Sequence, residues 1–163
     1  MSGWWALKLR RTRTYLRAGV TAAERTALAA QLEPDQLALF DRMHPADRRH
    51  GLDVMGYLGD RGANAPDLLL AGLLHDCGKG PRVRFVHRVA WSLGQHYGAW
   101  IWHASSYLPT FRAGLASMRD HAELSARFAA AAGCSARTVE LISHQEAPTD
   151  DTGRLLLEAD EAN

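Results

Sequence analysis

The stretch "AGLLHDCGKG", residues 71–80, closes an apolar run with His75, Asp76 and, three positions on, Lys79. Imidazole and carboxylate both ligate divalent iron, manganese, cobalt, nickel and zinc. The same three residues also suit an ordinary helix end, where a lysine meets the last carbonyls and answers the helix dipole. Further residues of the same chemistry recur along the chain: His50 before this stretch, then His121, His144 and Asp160 after it. Together they read H…HD…H…H…D, with each donor group in a separate helical stretch. A helical bundle can aim several such side chains at one point. Consecutive helical side chains diverge by about 100°, so His75 and Asp76 would not serve one ion in the same way. A carboxylate that bridges two ions, with His75 on one of them, removes the difficulty. Two ions about 3.5–4 Å apart can deprotonate a bridging water and neutralise phosphate oxygens during in-line attack.

The elements that must position these residues are helical throughout. Thr21 and Glu24 predict a capping box, and Pro34, Pro45 and Pro66 each predict a helix start. Leu52, Met55 and Leu58 recur at three-residue steps on the helix that carries His50. "RDHAELSARFAAAAG" predicts a helix ended by Gly133, Ser135 can cap the next, and a last helix runs from about Thr152. No stretch alternates as a strand, so the fold class predicted is all-α, as one single-domain bundle. A chain of 163 residues supports one sizeable core and not two.

Composition excludes several classes. With 47% hydrophobic and 23% charged residues the chain is neither disordered nor an obvious membrane span. Cys77 and Cys134 lack the close pairing of a thiolate zinc site or a disulfide framework, which points to a reducing compartment. The N-terminus lacks the order of a signal peptide, so the expectation is a cytoplasmic protein. Net charge is only +1 but unevenly spread: residues 1–20 and 77–119 carry five and six basic side chains and no acid. Basic stretches attract phosphates, nucleic acids or anionic lipid.

These motifs resemble the HD-domain metal-dependent phosphohydrolases. "RHGLDV" looks like the family's first-histidine helix, "LLHDCGK" like its HD signature with the trailing lysine, and "LEADEA" like its closing aspartate segment. "HAELSARFAAAAGCSARTVELISHQE" is similar to the stretch that supplies two further histidines in binuclear members, such as HD-type diadenosine tetraphosphate hydrolases and HD-GYP phosphodiesterases. The resemblance covers about residues 45–163 as an HD-type bundle. Residues 82–118 form a variable aromatic insert, and residues 1–44 are expected as a basic and aromatic helical extension packed on the domain.

The resemblance implies that His50, His75, Asp76 and Asp160 bind one metal, while His121, His144 and a bridging Asp76 bind a second. It implies Asp76 and Lys79 as catalytic residues, with Lys79, Arg82 and Arg84 binding substrate phosphate. The cofactor expected is one or two divalent ions, iron or manganese ahead of zinc, cobalt, nickel or magnesium. The activity implied is cleavage of a phosphate ester or anhydride in a small nucleotide-like substrate by a metal-activated hydroxide. The absence of an acidic pair behind "HDCGK" speaks against alarmone hydrolysis. The absence of a Gly-Tyr-Pro segment, and Gln145 where a second adjacent histidine would stand, speak against the HD-GYP activity and a third metal. A competing reading is a non-catalytic HD module that binds a nucleotide, an anionic lipid surface or a protein partner.

The other histidines take plainer readings. His44 fills a turn before Pro45, His87 is solvated or faces phosphate among Arg84 and Arg88, and His96 and His103 belong to an aromatic segment. That segment, residues 89–111, carries no formal charge and is interrupted by too many polar residues to span a membrane. It reads as core plus loop, as a lid over the metals, or with residues 1–20 as a peripheral contact at the inner membrane face. No motif supports specific nucleic-acid binding, and oligomeric state is left open.

Overall fold

The computed structural model describes residues 19–80, 83, 85–98, 100, 102 and 109–163. The expectations for residues 1–18, for Arg82 and Arg84, and for His103 therefore lie outside the described residues. Among the described residues the chain is helical, with no strand. In chain order the helices are α1 (Ala22–Ala29), α2 (Pro34–Arg42), α3 (Pro45–Asp60), α4 (Pro66–Leu74), α5 (Phe85–Tyr97), α6 (Pro109–Arg119), α7 (His121–Ala131), α8 (Ala136–Ser143) and α9 (Asp151–Ala162). None of them is long and apolar enough to cross a membrane.

Local sequence sets most of the boundaries. At α1 the Glu24 amide donates to Thr21 Oγ1 at 3.2 Å and the Thr21 amide donates to Glu24 Oε2 at 2.8 Å, the reciprocal bonds of a capping box. Prolines open α2, α3 and α4, where their missing N–H is one that no helical carbonyl would have met. His44 caps α3, its Nδ1 accepting from the Ala46 amide at 3.2 Å. Ser135 and Asp150 cap α8 and α9 in the same manner, at 3.0 and 2.8 Å.

Helix α4, "PDLLLAGLL", is apolar on every side, which fits a helix surrounded by others. It packs against α3, α8 and α9, and α8 packs in turn on α7. Leu73 and Leu74 of α4 are fully buried with Val54 and Leu58 of α3, Ile142 of α8 and Ala159 of α9. Leu28 of α1 and Phe40 of α2 join the same core.

Two glycines permit close approach. A Cβ on Gly51 would lie 2.3 Å from the Leu73 carbonyl oxygen, so α3 and α4 touch backbone to backbone beside His50. A Cβ on Gly78 would lie 2.5 Å from the His121 carbonyl oxygen and the Ser125 amide, which brings the turn after Asp76 against the start of α7. Helices α5 and α6 pack on each other as a pair. Arg88 of α5 ties it to the bundle through an ion pair of 2.6 Å with the buried Asp47 of α3.

Candidate metal centre

His75 is the capping residue at the C-terminal end of α4, and Asp76 lies in the turn beyond it. The helix thus ends with its apolar run at Leu74, and the two donor side chains follow it. Both are buried. His50 stands on α3, one residue before Gly51, and Asp160 lies in the last turn of α9.

These elements bring three donors together: one nitrogen each of His50 and His75 and one oxygen of Asp160 lie within 4.8 Å of one another. His50 Nε2 is 2.7 Å from Asp160 Oδ1, and His75 Nε2 is 3.4 Å from the same oxygen. The two imidazole rings meet edge to face at 5.2 Å. Asp76 adds a fourth group, with Oδ1 3.6 Å from His75 Nε2. The base of the cluster is closed and its rim is open: the His75 and Asp76 side chains are each 2% exposed, against 24% for His50 and 42% for Asp160.

Hydrogen bonds around the cluster orient the donors. His75 Nδ1–H donates to the Gly72 carbonyl at 2.9 Å, since a carbonyl can only accept, and this turns Nε2 toward the carboxylates. His121 repeats the device, with Nδ1–H donating to the Met118 carbonyl at 2.7 Å and Nε2 standing 3.7 Å from Asp76 Oδ1. Asp76 Oδ1 thus lies between two imidazole nitrogens, while its Oδ2 accepts from Lys79 Nζ at 2.5 Å. His75 Nε2 and Asp76 Oδ1 are both buried without a hydrogen-bond partner. Orphaned polar atoms at such depth are costly unless something else meets them.

The electrostatics agree with a cation site. Burial opposes a charge on His75, yet Asp76 and Asp160 raise it to about 9. Burial likewise opposes a charged Asp76, but Lys79, His75, His50 and His121 hold its carboxyl well below the usual range. Asp160 is also desolvated, and its contacts with His50 and His75 hold it low. A field that retains a proton on His75 also attracts a divalent ion, which would displace that proton on binding. The donor set of imidazole and carboxylate fits such an ion, and Cys77 offers no thiolate because burial raises its thiol to about 12.

His144 follows α8 directly. It is exposed at the C-terminal cap of α8, and its Nδ1 lies 3.0 Å from the Glu140 carbonyl of its own helix and 2.9 Å from Ser143 Oγ.

Several residues that support the site carried no obvious sequence signal. Ser125 Oγ accepts from the Gly78 amide at 2.8 Å and pins the turn after Asp76. Gln145 is buried and its amide donates to the His75 carbonyl at 3.3 Å. Glu146, 64% exposed, has a carboxylate oxygen 3.9 Å from His121 Nδ1. His87 corrects the reading of a solvated residue: it is 4% exposed, with its ring 4.6 Å from that of Phe111 and packed against Gly114.

No family model, curated protein or solved structure matches this chain.

Proposed function

We propose that the protein is a divalent-metal-dependent phosphohydrolase of the HD type, acting on a phosphate ester or anhydride of a small nucleotide-like molecule. The observation that carries this reading is the cluster of His50, His75 and Asp160 donors within 4.8 Å, beside the unpartnered buried oxygen of Asp76.

His50, His75, Asp76 and Asp160 would hold the ion, with iron or manganese favoured by nitrogen and oxygen donors without a thiolate. When bound, the ion supplies water activation at neutral pH and neutralises phosphate charge. The protein's own groups do the rest. Gly72 and Met118 carbonyls fix the tautomers of His75 and His121. Asp76 and His121 would hold a second ion where one binds, since Asp76 Oδ1 lies 3.7 Å from His121 Nε2 and 3.6 Å from His75 Nε2. Lys79 orients Asp76 through one ammonium proton and has two further protons for a phosphate oxygen. The exposed rim at His50 and Asp160 leaves the substrate a way in.

A non-catalytic reading has its own support, because Lys79 already pairs with Asp76 and His50 with Asp160. Metal analysis of the purified protein separates the two, followed by assays with a general phosphodiester, a phosphomonoester and a nucleotide panel in manganese or iron. Turnover that disappears in Asp76→Ala and persists in His96→Ala supports the enzyme. Full metal occupancy with ligand binding and no turnover supports the module, and absence of any bound metal removes both metal-based readings.

A further inference from the structure

Helix α5 uses only one of its sides to join the protein. Ala90 and His87 are buried, and His87 packs against Gly114 and Phe111 of α6. An arc that adjoins this buried side is apolar and exposed, while Arg88, Ser92 and His96 occupy the side opposite. Val86, Val89, Leu93 and Tyr97 fall within about 80° of arc at 100° per residue. Val86 is 53%, Val89 38% and Tyr97 49% exposed, with Leu93 partly so. Just beyond the helix, Trp100 is 66% exposed, yet its indole N–H donates to the Tyr97 carbonyl at 3.1 Å. The polar edge of that ring is thus satisfied by the helix end, and what the ring presents outward is apolar surface.

Exposed positions of a soluble helix ordinarily hold polar residues. Here the outward stripe holds no charged side chain, and no acid occurs anywhere from residue 77 to residue 119, so neither α5 nor α6 carries one. Arg88 is engaged with Asp47, whereas Arg112 on α6 is exposed. An apolar stripe ended by aromatic residues, on a helix pair with basic side chains and no acid, has the chemistry of a helix that lies in a lipid interface. The lack of acids selects the sign of the headgroups, since each basic residue near an anionic surface adds attraction and no carboxylate opposes it.

We propose that the outer face of α5, with Trp100, docks on an anionic lipid bilayer surface, the stripe entering the boundary between headgroups and acyl chains. The proposal does not depend on the metal centre. Its test is flotation of the full chain with vesicles of phosphatidylcholine mixed with phosphatidylglycerol, against vesicles of phosphatidylcholine alone. At low salt the protein is expected to partition about tenfold more into the anionic vesicles, and less so as salt is raised. Val89→Glu combined with Tyr97→Glu should reduce that partition by about tenfold or more, because two charges would enter the apolar boundary. Both positions are exposed, and circular dichroism with the thermal midpoint checks that the double variant keeps its fold. Trp100→Ala, a milder change outside the helix, should give a smaller loss in the same direction. No flotation of the natural protein overturns the proposal, as does equal flotation on neutral vesicles or by the double variant. A concentration-dependent dimer that the double variant abolishes, without vesicle binding, would assign the stripe to a second copy of the chain instead.

Discussion

The two halves of the candidate site use the same residue types and differ in how their helices meet. On one side, α3, α4 and α9 pack directly on one another, and His50, His75 and Asp160 converge within 4.8 Å. On the other, Gly78 sets the turn after Asp76 against the start of α7, and Nε2 of His121 lies 3.7 Å from the carboxylate without joining the group of three. His144 remains exposed on its own helix end. The order of donors along the chain does not foretell this. Backbone contact beside His50 and beside His121 brings each toward the site, because an imidazole projects only a few ångströms from its axis.

The largest effects should come from breaking the first half. His75→Ala or Asp160→Ala is expected to weaken metal binding by more than about 100-fold, beyond the usual cost of an outer-shell change, as read by metal content after dialysis. Gly51→Ala tests whether helix contact is the cause. Its Cβ cannot share space with the Leu73 carbonyl, so the folded state should be destabilised by about 1–3 kcal/mol and metal affinity should fall with it. Thermal melts with and without metal would show both. His121→Ala sharpens the comparison, with an expected loss of about tenfold in affinity, or of one ion where two are bound. His144→Ala should leave metal content unchanged, and a loss equal to that of His75→Ala would erase the distinction between the halves.

The smallest effect lies outside both halves and serves as a control. The Arg49 and Thr21 hydrogen bonds hold Glu24 at about 2, against an ordinary 4.5. Because its folded value is depressed, the stability linked to Glu24 is complete above pH 4.5 and is lost as pH falls toward 2. Glu24→Gln should flatten that part of an acid unfolding profile without altering metal content at neutral pH.

Particular residues show what could be read without coordinates. Pro34, Pro45 and Pro66 mark helix starts because proline restricts the backbone at its own position. Thr21 and Ser135 mark them because a hydroxyl meets amides two or three residues away. The central place of α4 is written in its apolar run from Leu68 to Leu74. The segment around α5 and α6 resisted the same reading. His87 lies among basic neighbours in sequence and is nevertheless buried, since its depth is decided by Gly114 and Phe111 from another helix.

The sequence by itself determined an all-α chain, most of its helix starts and the identity of the ionisable groups, because these depend on torsions and hydrogen bonds within a few residues. Tertiary structure alone decided that His50, His75 and Asp160 share one small volume, that Asp76 is buried between two imidazoles, and that one side of α5 is left facing out. Those outcomes depend on which helices touch, and contact between residues 50 and 160 is fixed by the packing of the whole core.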